Sequence, residues 1–194
     1  FRFLTLYLQN VLGYTPLEAG FASLPVTVGV LLSATVTSGL LPRIGPKIPM
    51  MIGPVLAAAG MLSLRFIDLD TSFWAHLMPA QVLLGLGLGF TFVPLSSLAL
   101  VGVPSHDAGA ASAALNATQQ IGGSLGTALL NTIATSAITA YVASNLVAPG
   151  RPPTSRVLLQ AQVDGYADAF TWAAGMILLA GIITALVVKV DKAD

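Results

Sequence analysis

The amino-acid sequence predicts an all-α protein that forms a polytopic bundle of transmembrane helices. Three observations support this fold class: the composition, the placement of the charges and the length of the apolar blocks. Charged residues make up 8% of the chain and hydrophobic residues 55%, whereas a soluble domain carries about 25% charged residues. A soluble fold could not cover its surface with so few charges. The formal net charge of zero also argues against a nucleic-acid partner.

The charged side chains fall between long uncharged stretches. The stretches without Asp, Glu, Lys or Arg are 19–42, 48–64, 71–106, 108–150 and 169–188. About 20 apolar residues cross the hydrocarbon core of a bilayer as a helix, and the backbone must satisfy its hydrogen bonds internally there. A membrane β-barrel would show short alternating segments instead. A soluble helical bundle would show amphipathic stripes, which most of these blocks lack.

Five complete spans and one partial span follow from this pattern. The complete spans are predicted at about 17–41, 46–66, 73–101, 109–140 and 165–188. Residues 1–12 form a partial helix, too short to cross the membrane at about 1.5 Å per residue. We therefore expect residues 1–194 to be one six-helix domain with a truncated first helix, part of a larger protein whose upstream portion is missing. A polar loop at 141–163 precedes Asp164 and Asp168, which are expected to open the last span.

Positive charges place the carboxyl terminus in the cytoplasm, because cytoplasmic loops are enriched in Lys and Arg. On this orientation the inner residues are Arg43, Lys47, Lys189 and Lys192, against Arg65, Arg151 and Arg156 outside. The aromatic residues of the predicted outer interface are Tyr14, Phe73, Trp74, Tyr141 and Tyr166.

The span predicted at 109–140, the fifth when the partial helix is counted as the first, carries a polar stripe on an otherwise apolar helix. Its members fall within an arc of about 120° and are Ser112, Asn116, Gln119, Gln120, Gly123, Thr127 and Asn131. Amides in hydrocarbon need partners, so this face must meet other helices or a water-filled cavity. Two interpretations stay open: a cavity wall that binds a ligand, or hydrogen bonding between helices.

Small residues spaced four apart predict close helix packing at Gly85 with Gly89 and at Gly122 with Gly126. Prolines within the spans, Pro25, Pro54, Pro79 and Pro94, predict kinks.

Arg2 is predicted to lie inside the membrane on the partial helix, where an arginine is by default a candidate functional residue. A structural pairing is an equally good explanation. Glu18 is expected to be an interfacial, solvated carboxylate. His76 and His106 fall at opposite membrane faces and the chain has no cysteine. We therefore expect no enzyme activity, catalytic residue, metal site or cofactor.

Three segments resemble the major facilitator superfamily, most closely its fourteen-helix drug–proton antiporters of bacteria. Residues 6–20, LYLQNVLGYTPLEAG, carry the first likeness, and residues 107–123 are similar to the penultimate helix of that group. The residues Gly39, Arg43, Gly45 and Lys47 resemble a degenerate second copy of the superfamily's cytoplasmic loop motif. Residues 40–42, Leu-Leu-Pro, stand where the motif has an acidic residue before the arginine, so its charge relay is not intact.

The resemblance implies the carboxyl-terminal six-helix half of a transporter in the plasma (inner) membrane, with substrate bound between two rocking halves. It implies export of small hydrophobic, drug-like compounds in exchange for protons, with the acidic coupling residues chiefly in the missing amino-terminal half. The partners would be the lipid bilayer, the substrate, protons and that amino-terminal half. Candidate cavity residues are Asn116, Gln119, Gln120, Thr127 and Asn131, with Tyr7, Gln9 and Arg2. An importer of a nutrient or metabolite and a non-transporting membrane scaffold remain alternatives.

Overall fold

A computed structural model describes residues 2–145 and 153–187, and within these ranges the protein is built from helices. The helices are α1 (Arg2–Asn10), α2 (Pro16–Ala22), α3 (Leu24–Ile44), α4 (Lys47–Ser63), α5 (Met78–Ala99), α6 (Ala108–Ser144) and α7 (Ser155–Val187). A 3-10 turn at Leu64–Phe66 extends α4, and a π-helical turn at Phe73–Leu77 leads into α5. Five helical segments are long and apolar enough to cross a membrane. The predicted all-α fold of five complete spans after a short first helix is confirmed.

The first complete span is divided into α2 and α3 by local chemistry that the sequence carries. Thr15 and Glu18 form a capping box at the start of α2, in which the Thr15 N–H donates to a Glu18 carboxylate oxygen at 2.8 Å. Pro25 stands in the first turn of α3, and because proline has no N–H it cannot continue the hydrogen-bond ladder of α2. The helix therefore breaks at Ser23. Glu18 is exposed, as expected, and it also caps the helix.

α5 is the central helix of the bundle, since it packs against both α3 and α4. α7 packs against α4 on one side and α6 on the other, and α1 lies against α7 and α2. α6 is thus an outer helix, supported mainly by α7. The buried core lies where α1 meets α7 and the turns that precede α5, and it includes Tyr7, Leu8, Leu77 and Ala169.

The connection between the last two spans is shorter than predicted. α6 continues to Ser144 and α7 begins at Ser155, so most of the expected loop at 141–163 is helical among the described residues. Asp164 and Asp168 consequently lie inside α7 rather than at its start, which corrects their predicted role. The sequence between Ser155 and Asp164 has no proline or glycine, so the helix continues past the point where apolar residues end. Lys189, Lys192 and Arg151, used to orient the chain, lie outside the described residues.

Candidate functional site

The polar stripe lies on the part of α6 that is not covered by neighbouring helices. Among the residues of α6, which are all described, only Ala134 is buried. Asn116, Gln120, Thr127 and Asn131 are exposed, and Gln119 is half-buried. No side-chain hydrogen bond joins these stripe residues to another helix within ranges 2–145 and 153–187. The stripe therefore faces away from the packed interior of the chain.

A wide-open cavity of about 590 Å³ lies between the start of α1 and the middle of α6. Its lining residues are Arg2, Gln120, Gly123, Ser124, Thr127, Ala128 and Asn131. On α6 these positions recur every three or four residues, which keeps them on one face of the helix. The structure thus brings Arg2, Gln120, Thr127 and Asn131 to one space, although Arg2 is far from the other three in the sequence.

The depth of the cavity follows from the length of α6. The lining residues of α6 occupy positions 120–131, and α6 runs from Ala108 to Ser144. At about 1.5 Å per residue, the lining lies around the midpoint of a helix that is longer than the bilayer core. The cavity is therefore at mid-depth of the predicted span.

Ser124 is a lining residue that the sequence analysis did not single out. Its hydroxyl donates to the backbone carbonyl oxygen of Gln120 at 2.7 Å, which holds the side chain along the helix. Its position four residues after Gln120 was the available signal, because residues i and i+4 share a helical face.

The electrostatic character of the cavity is set by Arg2. The Arg2 side chain is exposed to the cavity, and the lining contains no aspartate or glutamate. Across the described part of the chain the one ion pair is that between His106 and Asp107, at 3.2 Å. Arg2 therefore gives the cavity wall a positive charge that no described carboxylate neutralises.

Tyr7 and Gln9 do not line this cavity, and their part in ligand binding stays a prediction. Tyr7 lies five residues after Arg2, about 140° around the helix, so its ring points into the core. It is fully buried, and its hydroxyl donates to the backbone carbonyl oxygen of Asp68 at 2.5 Å. Gln9 lies about two turns beyond Arg2 on a similar face and is half-buried outside the cavity lining. Tyr7 thus anchors α1 to the connection before α5.

Asn116 and Gln119 also lie outside the cavity lining. Asn116 is one turn before Gln120 and exposed, so it extends the polar face toward the start of α6. Gln119 is half-buried. Their part in ligand binding stays a prediction.

The segment resembling the cytoplasmic loop motif forms a tight turn between α3 and α4. Gly45 has a φ of 68°, a left-handed conformation that glycine adopts without steric cost, and its N–H bonds the Leu41 carbonyl oxygen at 3.0 Å. Arg43 and Lys47 on either side are exposed, and an Ala side chain at Gly39 would meet no atom within 4 Å. The turn presents two cations at one end of the bundle. A role as a gate stays a prediction.

The two predicted glycine pairs differ in their surroundings. A Cβ at Gly85 or Gly89 would collide with α3, at the Val26 carbonyl and the Ser33 side chain respectively. A Cβ at Gly122 or Gly126 would meet no atom within 4 Å. Close packing is therefore present at Gly85 and Gly89. Close packing at Gly122 and Gly126 stays a prediction, because no described helix lies against them.

Comparison with known proteins identifies one protein family and several resistance proteins that are similar to this chain. The sequence profile of the Major Facilitator Superfamily matches residues 1–127. The puromycin resistance protein of Streptomyces alboniger is 41% identical over 200 residues, which cover 100% of this chain and 38% of that protein. The tetracenomycin C resistance and export protein of Streptomyces glaucescens is 36% identical, over 70% of this chain and 25% of its own length. The multidrug resistance protein Stp of Mycobacterium tuberculosis is 31% identical, over 80% of this chain and 28% of its own length. The chain thus spans well under half the length of these relatives.

Proposed function

Because the chain belongs to the major facilitator superfamily, we propose that it forms the carboxyl-terminal half of a secondary transporter that exports drug-like compounds in exchange for protons. It is a multi-pass membrane protein by its family and its five apolar helices. The relatives named for puromycin, tetracenomycin C and multidrug resistance favour export over uptake. The chain's share of those relatives, at most 38% of their length, fits a domain that works with a further set of helices.

The observation that carries the proposal is the polar cavity at mid-depth. A bundle built only for stability would bury its amides between its own helices, since unpaired polar groups in hydrocarbon are costly. Here Gln120, Thr127 and Asn131 line an open space from one face of α6 instead. Secondary transporters place the substrate near the midplane, between two repeats that move against each other. The cavity has the position and the hydrogen-bonding groups of half of such a site.

The full-length protein tests this in a host that lacks its own efflux systems, with a panel of toxic compounds. We expect raised resistance and energy-dependent dye extrusion, both lost when the proton gradient is collapsed. No change in resistance or dye retention for any compound would refute the proposal. Uptake of a compound down a proton gradient in proteoliposomes would establish the importer alternative instead.

A matched pair of threonine variants on α6 tests whether the cavity binds the transported compound. Thr127 and Thr132 are both exposed on α6, but only Thr127 lines the cavity. Thr127→Val removes a hydroxyl from the wall, and a hydrogen bond contributes about 0.5–1.5 kcal/mol, so kcat/KM should fall up to about tenfold for some substrates. Thr132→Val should leave transport unchanged. Equal effects from the two variants would argue against the cavity as the site.

The scaffold alternative makes the opposite prediction for the amides of the stripe. If the protein does not transport, replacing both Asn116 and Gln120 with leucine leaves its activity in cells unchanged while the protein still inserts. Under the proposed function the double variant loses export, because the cavity wall loses a hydrogen-bonding group at Gln120. Membrane insertion is checked by the amount of protein in the isolated membrane fraction.

The proposed location is the plasma (inner) membrane with a cytoplasmic carboxyl terminus. The exposed cations Arg43 and Lys47 at the α3–α4 turn support this orientation, because positive charge is retained on the cytoplasmic side. A fluorescent protein fused to the carboxyl terminus should be fluorescent in the cytoplasm, and a periplasmic alkaline phosphatase fusion at the same place should be inactive. The reverse pattern would overturn the orientation.

A further inference from the structure

The positive charge of the cavity is not balanced by the residues around it. Arg2 is exposed at the cavity, and the other lining residues from α6 are neutral amides, hydroxyl-bearing side chains and small residues. Burying a charge near the middle of a membrane is costly, and such a charge is retained where something pairs with it. Within ranges 2–145 and 153–187, no carboxylate forms an ion pair with Arg2.

The groups around Arg2 suit an oxyanion. The guanidinium carries five N–H donors in a planar fork that matches the two oxygens of a carboxylate. The amide N–H₂ groups of Gln120 and Asn131 can donate to lone pairs that the guanidinium leaves free, and both residues line the same cavity. A cationic compound, in contrast, would meet a like charge and no acidic residue on this wall.

We infer that this cavity selects substrates bearing a carboxylate or another oxyanion, which Arg2 pairs with while Gln120 and Asn131 complete its hydrogen bonding. The inference rests on the proposed function and specifies its substrate class. It predicts discrimination between compounds of similar shape and opposite charge. The dyes fluorescein and rhodamine 123 make such a pair, because both are xanthenes, the first anionic and the second cationic.

The test measures transport of the two dyes by the full-length protein in everted membrane vesicles with an imposed proton gradient. We expect wild-type kcat/KM to be at least about tenfold higher for fluorescein than for rhodamine 123, since one additional ion pair of about 1.4 kcal/mol corresponds to that factor. Arg2→Gln should remove this preference by lowering fluorescein transport about tenfold and leaving rhodamine transport unchanged or higher. Arg2→Lys should give an intermediate loss on fluorescein alone, because the charge remains and the fork is lost.

Arg156→Gln is the matched control, because Arg156 is an exposed arginine on α7 that does not line the cavity. It should leave the ratio between the two dyes unchanged. Equal loss of both dyes in Arg2→Gln would show that Arg2 supports the protein's activity without recognising the anion, and this would overturn the inference. If Arg2→Gln does not insert, Arg2→Lys decides, and an equal loss of both dyes there overturns it as well.

Failure of the inference is distinguishable from failure of the proposed function. A wild-type protein that exports compounds of the panel but prefers cations contradicts only the assigned substrate class. A wild-type protein that exports nothing contradicts the proposed function itself.

Discussion

Replacing Gly85 with alanine should destabilise the protein, because the added methyl group would collide with the backbone of α3. An ideal Cβ at Gly85 would lie 3.0 Å from the backbone nitrogen of Val30 and would overlap the carbonyl oxygen of Val26. Both atoms belong to the backbone, so no change of side-chain rotamer relieves the contact. Either α3 and α5 move apart or the helix bends.

The expected magnitude combines two opposing effects. Forcing extra atoms into a packed interface costs about 1–3 kcal/mol, and a collision with backbone places Gly85→Ala in the upper part of that range. Alanine in a helix interior returns about 0.5–1 kcal/mol relative to glycine. The net loss should be about 1–2 kcal/mol. At about 2–4 °C per kcal/mol for a chain of this size, the melting temperature should fall by about 2–8 °C.

Thermal unfolding of the protein in detergent, followed by far-ultraviolet circular dichroism, measures this change. Gly175→Ala on α7 is the matched control, because its Cβ would meet no atom within 4 Å. We expect its melting temperature to be unchanged or slightly raised by helix propensity. If Gly85→Ala melts at or above the wild-type temperature, as the control does, then α3 and α5 do not approach each other as the structure shows.

Three further predictions concern buried and lipid-facing side chains. Gln81 is buried and neither the nitrogen nor the oxygen of its amide has a hydrogen-bond partner among the described residues. Gln81→Leu should therefore raise the melting temperature, and Gln81→Glu should lower the free energy of unfolding by about 1–3 kcal/mol or more. A lower melting temperature for the leucine variant would reveal a partner for the amide. Tyr7→Phe should cost about 1 kcal/mol in an unfolding titration, because it removes the buried hydroxyl that donates to the Asp68 carbonyl oxygen and leaves that oxygen only the 3.3 Å bond from the Thr71 N–H. An unchanged midpoint would contradict the Tyr7 bond. Trp74 and Trp172 are 75% and 60% exposed, so single-tryptophan proteins should both be quenched by brominated phospholipids. Bromines near the headgroups should quench Trp74 more than Trp172, because Trp74 lies at the start of its span. Equal quenching by bromines at all depths would contradict the assigned depth.

The membrane spans could be predicted because hydrocarbon thickness imposes a length and an absence of charge on each helix. The start of α7 could not be predicted in this way. Helix ends outside the hydrocarbon depend on capping and local propensity, and Ser155 begins a helix whose first turns carry Arg156 and other polar residues. Charge placement predicts where a helix enters the membrane, which is not where the helix itself begins.

The candidate site was predictable on one helix and not between helices. Gln120, Thr127 and Asn131 share a face by periodicity alone, so their common lining of the cavity follows from their spacing. The position of Arg2 opposite them depends on how α1 packs against α7, which no local pattern encodes. Tyr7 shows the same limit, since no local pattern indicates that it packs into the core.

The structure narrows the two interpretations of the polar stripe on α6. Hydrogen bonding between helices would require stripe side chains to meet partners on α1–α5 or α7, and within the described ranges they meet none. The hydroxyl of Ser124 bonds within α6 itself, which satisfies the donor without a neighbouring helix. The amides of Gln120 and Asn131 form no hydrogen bond with another helix within those ranges, so water or groups outside the described residues supply their partners. This arrangement, beside an arginine that pairs with no described carboxylate, supports the proposed oxyanion site. For that reason the dye pair of opposite charge tests the nature of this face more directly than any measurement of stability.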